Sequence, residues 1–266
     1  DGGRALLGHK SEGVLLAFKN SAERGLLSPW PGHPLCRQFM RELSSFFSPL
    51  FTDPLPLVYE SREALDAALA ALSCPPSGAL FDPAAPALTA SAVAAANAAP
   101  GPLRAALWRP WLGPAARGEL PLPAAILVPV LPFPLPGSPL VLVAERSELS
   151  ALSSSSLPAP AVLASALKAL SLLARAPDRD IPHIYPSLKP LYEGTGAAWH
   201  LNGSWLSLRQ RIADADWQAF RFLALEAGVY LPTSTRAPLF LSTGFSQGEC
   251  ALLLRILSQA PGSPLA

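Results

Sequence analysis

The string GFSQG at residues 244–248 has the G-x-S-x-G spacing that exposes a serine nucleophile on a sharp strand-to-helix turn. Such a serine needs a histidine base and an acid to orient that base. After Ser246 the chain has no histidine or aspartate, and Glu249 is its only acid. Ser246 and Glu249 also have the S-x-x-E spacing of a helix capping box ahead of the apolar run ALLLRIL, and a cap is the preferred reading. His33 and Cys36 share one turn, with His9 earlier, but no dense Cys/His cluster surrounds them. A helix-start histidine and a core cysteine are expected there, and no metal. His183 and Tyr185 lie in DIPHIYPSLKP, and His200 precedes an apolar stretch. Neither histidine has a nucleophile or acid at a legible spacing, so both read as structural or surface residues. Trp30, Trp108 and Trp111 sit beside prolines, with Arg109 between two of them. They suit either a stacking patch for a ligand or partner, or loop packing, which is preferred. Asp178-Arg179-Asp180 reads as a solvated turn or helix cap.

Composition narrows the function classes. The chain has 266 residues, 50% of them apolar, with 31 prolines and a formal net charge of +1. That is enough apolar content for a core in one large domain or two small ones. The charge balance offers no polybasic field, so neither nucleic acid nor an acidic membrane surface is an expected partner. The cysteines, Cys36, Cys74 and Cys250, are three in number and far apart, without a C-x-x-C pair. Scattered free thiols suit a reducing cytoplasm, and the opening residues show no basic-then-apolar leader pattern. Residues 120–144 carry no charge but contain seven prolines. Proline removes backbone donors and fixes φ, so the stretch is expected to form two buried strands around a proline-rich loop rather than a membrane helix.

Periodicity places the elements. Helices are expected from Ser11-Glu12 to Arg24, and from Pro34 to Pro49 with Leu35, Phe39, Leu43, Phe46 and Phe47 on its buried face. Further helices are expected over Arg62–Leu72 behind a Ser61 cap, over Ala90–Ala99 and over Pro160–Ala174. Strands are expected at Leu55–Tyr59, Ala124–Val130 and Pro139–Ala144. Ser153–Ser156 is a loop or the lead-in to the next helix. The last third reads as a strand Leu201–Leu208, then a helix capped by Asp214 and stopped after Ala227 by Gly228. Strand-like Val229–Leu231 and Leu239–Leu241 follow, and then a helix from Ser246 through Leu257. Strands alternating with helices point to an α/β fold.

GSWLSL (203–208), a helix, ALEAGVYLPTS (224–234), APLFLSTGFSQGE (237–249) and an amphipathic helix follow one another in order. This order resembles the C-terminal domain of class III pyridoxal-phosphate aminotransferases, most of all the glutamate-1-semialdehyde aminomutase branch. GGRALLGH (2–9), ESREALDAAL (60–69), AAILVPV (124–130), PLVLVAE (139–145) and LPAPAVLASALKAL (157–170) extend the resemblance along a chain much shorter than the family's. They resemble, in turn, the lead into the small domain, the phosphate-loop helix, the strand ending Glu-Pro-Val, the strand ending Asp-Glu and the helix after the catalytic lysine. The resemblance implies a three-layer fold-type-I scaffold. Residues 1–50 would be the N-terminal part of a small domain, 51–175 a shortened large domain and 176–266 the C-terminal small domain. It also implies a homodimer.

Family chemistry requires a lysine amine, a carboxylate facing the pyridine nitrogen, and a helix start that holds the phosphate. By the resemblance, the carboxylate position falls on Ala144, which has no acid, and Glu145 would point to the other side of the strand. The phosphate-loop positions fall on Glu60, Ser61 and Arg62. Glu60 would repel a phosphate and Arg62 attract one, and glycine is missing. Residues 145–159 contain no lysine, and Lys10, Lys19, Lys168 and Lys189 lack the strand-end context. The expectation is a degenerate, non-catalytic homologue (a pseudoenzyme) with a binding or structural role, no catalytic residues and no cofactor. The alternatives are an active aminotransferase or aminomutase with a rearranged site that binds pyridoxal phosphate, and a retained pocket for a small anionic ligand near Arg62.

Overall fold

In β1 (Pro54–Tyr59), prolines 54 and 56 alternate with residues that must donate to a neighbouring strand. Along a strand, successive N–H groups face opposite edges. The prolines therefore share an edge with the Val58 N–H, and that group donates to Ser154 Oγ at 3.1 Å rather than to a strand. β1 is accordingly an edge strand, as its prolines require. These features come from a computed structural model describing residues 11–28, 32–82, 104–108, 124–133, 137–154, 158–175, 184–194, 196–210, 212–235 and 237–261. The expected helix Ala90–Ala99, the opening GGRALLGH, His9, Lys10, Trp30, Arg109, Trp111, Asp178–Asp180 and His183 lie outside the described residues. The described chain divides into two compact units, one reaching to Arg175 and the other starting at Ile184.

The first unit is a mixed α/β layer structure. Its sheet has the order β1-β4-β3-β2, where β2 is Ala105–Trp108, β3 Ile126–Pro129 and β4 Leu140–Glu145. β2 and β3 are parallel, and β4 runs antiparallel to both β1 and β3. Helix α3 (Arg62–Ala71) covers one face, where Leu65 and Leu69 join Leu57, Tyr59, Ile126, Val128, Leu142 and Ala144 in one cluster. The other face takes α2 (Pro34–Phe47), which packs on β1 and on α5 (Pro160–Arg175). Alternation turns Val141 and Val143 of β4 toward that second face, and both are fully buried. Helix α1 (Glu12–Glu23) lies along α5. A Cβ at Gly13 would come within 3.1 Å of Lys168 Cε, so a small residue suits this crossing. The short helix α4 (Arg146–Leu149) follows β4.

The expected strands at 55–59, 124–130 and 139–144 and the expected helices that fall on described residues of this unit are present within a residue or two. β2 and the 3₁₀ turns at Ser77–Ala79 and Pro186–Leu191 were not anticipated. Helices α1 and α2, from the first fifty residues, pack inside the first unit.

In the second unit, the expected single strand 201–208 is a hairpin. β5 (Trp199–Asn202) pairs with β6 (Trp205–Leu208) across Gly203-Ser204, and Gly203 has φ +61°. A two-residue turn of this kind needs a left-handed residue, which glycine supplies without strain. β7 (Leu239–Phe240) adds to β6. Helix α6 (Asp214–Glu226) starts after Ala213 with no side-chain cap. Asp214 is therefore its first residue rather than its cap, well placed for the helix dipole. Gly228, at φ +84°, ends the helix as expected, but residues 229–231 pair with no strand. Trp199 donates to the Leu257 carbonyl at 3.0 Å, tying the hairpin to helix α7 (Gln247–Leu257). Trp217 donates to the Pro232 carbonyl at 3.1 Å.

Candidate functional site

In α/β sheets, ligands gather where parallel strands end and helices begin. Here that edge is formed by the C-terminal ends of β1, β2 and β3, and the turn Glu60-Ser61-Arg62 stands on it. Ser61 caps α3 from an extended conformation, φ −136° and ψ 159°, with Oγ accepting from the Ala64 N–H at 3.2 Å. The Glu63 carboxyl, in the first turn, is held below the ordinary carboxylate range chiefly by its own backbone N–H and then by the Ser61 hydroxyl. Glu60 and Arg62 are exposed.

Ala144 is at the opposite edge. It pairs with Leu55 at the start of β1, whereas Tyr59, next to Glu60, pairs with Leu140. Four residues of strand, roughly 13 Å at 3.3 Å each, separate the two levels. The cause is the direction of β4: antiparallel to its neighbours, it ends where they begin. Ala144 is 0% exposed within the α3-side core. The next residue, Glu145, accepts from the Thr52 and Asp53 N–H groups at 2.7 and 2.9 Å, while Arg146 holds Asp53 at 2.7 Å. The acid at this strand end thus anchors the turn before β1. The sequence-derived site residues do not converge: Glu60, Ser61 and Arg62 lie together, and Ala144 lies away from them.

The C-terminal edge is lined by apolar groups. Trp108 ends β2 at 6% exposure, with its ring 5.1 Å from Phe47 and 6.2 Å from Phe46 of α2. It therefore packs the end of β2 against helix α2, rather than packing a loop as expected. Pro129 ends β3, followed by buried Leu131 and Phe133. One acid on this side was passed over in the sequence. Asp82 is 7% exposed and follows Phe81, which bridges Ala106 of β2 in parallel. Its signal was an aspartate before proline at the end of a short apolar run, inside an alanine- and proline-rich stretch. The first unit's described lysines stand elsewhere: Lys19 pairs with Glu23 on α1 at 3.8 Å, and Lys168 lies mid-helix in α5. In the second unit Lys189 pairs with Glu193 at 3.5 Å.

Pyridoxal phosphate would need an amine, an acid and a free anion cradle on one edge. Among the described residues of the first unit that edge holds no lysine, and the acids Glu60 and Glu63 flank its helix start. The described residues do not fit the group.

The remaining candidates resolve into structure. Ser246 accepts from the Glu249 N–H at 3.2 Å, and the Ser246 N–H and hydroxyl both donate to Glu249 at 2.7 Å, completing the capping box. His33 Nδ1 accepts from the Leu35 N–H at 3.1 Å as the cap of α2, and Cys36 is buried behind it. His200 is exposed on the hairpin. Among the described residues no three His, Cys, Asp or Glu cluster in a way that could hold a metal ion. Tyr185 accepts from the Phe245 N–H at 2.6 Å, and its phenol is pushed up to about 12 chiefly by burial.

The capping box carries a pH signature. The backbone N–H of Ser246, then its hydroxyl, hold the Glu249 carboxyl below its ordinary value. A group lowered on folding stabilises fully above its unfolded pKa and loses that contribution as pH falls through the folded one. A carbon-detected titration of Glu249 should give a midpoint below that of a free glutamate. Glu249→Gln should remove the difference in acid stability between pH 7 and the folded midpoint that this residue supplies. A midpoint at the ordinary value would contradict the box.

Comparison with known proteins comes to the fold. No protein-family model and no curated protein matches the sequence. Among solved structures, a transaminase with pyridoxal phosphate bound is similar over 98% of this chain and 84% of its own, at 14% identity and a TM-score of 0.64. The ornithine aminotransferase of Toxoplasma gondii is similar over 97% and 84%, at 16% identity and 0.63. A serine palmitoyltransferase from S. paucimobilis is similar over 97% and 86%, at 12% identity and 0.62. The chain has the α/β fold of these pyridoxal-phosphate enzymes in a shortened form.

Proposed function

We propose that this chain is an aminotransferase-fold protein without pyridoxal-phosphate chemistry, acting as a binding or structural protein. The observation that carries this reading is the C-terminal edge of β1, β2 and β3: no described lysine of the first unit stands there, and the acids Glu60 and Glu63 flank the helix start. Fold does not carry function without its site. The proposed assembly is a homodimer, by analogy with the fold, which light scattering would report as twice the chain mass. Cys36, Cys74 and Cys250 are all buried, with thiols pushed up by that burial. Such inert thiols suit the reducing cytoplasm proposed for it. No helix among the described residues is long and apolar enough to cross a membrane.

Asp82 favours one second reading, an active aminotransferase with a rearranged site. A buried acid does stand beside β2 on the C-terminal side, and Lys10 lies outside the described residues. Purified protein supplied with pyridoxal phosphate, amino donors and 2-oxo acids distinguishes the two. The expected result is no donor-dependent turnover. Turnover abolished by Lys10→Ala would establish the second reading and remove the first.

A further inference from the structure

Helix α6 is apolar on two faces, the mark of a helix covered from both sides. One face is covered within its own unit, through Trp217, Phe220 and Ala224. The other stands open: Phe222 is 66% exposed and Leu225 55%, and Leu223, Ala215 and Ala219 are exposed with them. Ala215, Ala219, Phe222 and Glu226 follow one another at steps of four, three and four, which sets them in one line along the helix. Leu223 and Leu225 lie to either side of that line at the level of Phe222.

The line is small at its start and large towards its end. A second copy turned end for end about a two-fold axis lays its Phe222 over Ala219 and offers its own Ala219 to Phe222, with the leucines along the flanks. The open face presents on the order of 400 Å² of apolar surface. At the roughly 65% apolar share of homodimer interfaces, two such faces would bury about 1,200 Å² in all, which reaches the lower bound for a specific interface. We infer that this face of α6 pairs with the same face of a second copy, the two helices antiparallel. The inference deepens the proposed homodimer by naming where its copies meet. At each end of the pair Asp214 and Asp216 of one copy come near Glu226 of the other, so charge opposes the contact and the apolar line holds it.

The test is sedimentation of the full chain over a concentration series. Wild type should dimerise reversibly with a dissociation constant on the order of 10 µM. Phe222→Asp should weaken pairing at least about tenfold, whereas Leu16→Asp, on the exposed side of α1, should leave it unchanged. Added salt should tighten the wild-type dimer by screening the acids. A short bis-maleimide should join Ala219→Cys to its own copy but not Ala215→Cys, because antiparallel pairing sets the two 215 positions roughly 16 Å apart along the helices. The replaced residues are exposed and the native cysteines buried, and circular dichroism checks that each variant folds. A dimer that Phe222→Asp leaves intact, that Leu16→Asp breaks as readily, that loosens with salt, or that cross-links equally at both positions overturns this face and leaves the homodimer standing. A wild type that stays monomeric overturns both. Neither result touches the question of turnover, which the donor assay decides.

Discussion

Ala144→Asp should destabilise the first unit by about 3–5 kcal/mol, the usual cost of an unpaired buried charge. A family resemblance alone would suggest the reverse, that restoring an acid there rebuilds a cofactor site. The geometry decides against this. Ala144 is 0% exposed, paired with Leu55 and Ile126, and packed in a cluster with Leu57 and Leu142. A carboxylate placed there must stay protonated, or unfold its surroundings to reach water. Against a typical stability of about 5–15 kcal/mol, the loss is large enough to read in a single urea melt. The variant should gain no affinity for pyridoxal phosphate. A cost below about 1 kcal/mol, together with a new cofactor spectrum, would mean that Ala144 borders an open site.

Phe47→Ala should cost about 3–5 kcal/mol. Phe47 is 0% exposed, with ring centroids 5.3 Å from Phe46 and 5.1 Å from Trp108. The substitution removes the transfer energy of a phenyl group and leaves a cavity behind the indole that ends β2. Trp108 fluorescence should shift as its surroundings loosen. A cost under about 1 kcal/mol would show that this edge is not held shut by aromatic packing, and would reopen it as a place for a ligand.

Local chemistry made many elements legible. Ser61, Pro34 and the Ser246–Glu249 pair mark helix starts because a side-chain oxygen or a missing N–H solves a problem confined to one turn. Short, charge-free runs marked β3 and β4 as buried strands. Their direction was not legible, because a strand buried on both faces reads alike either way along the sheet. The resemblance puts Ala144 and the α3 start in one site, whereas antiparallel β4 sets them at opposite edges of the sheet. The hairpin of β5 and β6 was merged into one strand because its apolar residues span the turn, although Asn202-Gly203 is a turn signal. Asp82 went unnoticed because its burial depends on the Phe81 bridge to β2, a long-range contact with no local mark.

The most direct test of the missing chemistry is to add excess pyridoxal phosphate to the purified chain, reduce with borohydride, and map the digest by mass spectrometry. The expected result is no stoichiometric pyridoxyl adduct on any lysine, and no absorbance band that reduction removes. One lysine modified in full, with such a band lost on reduction, would contradict it.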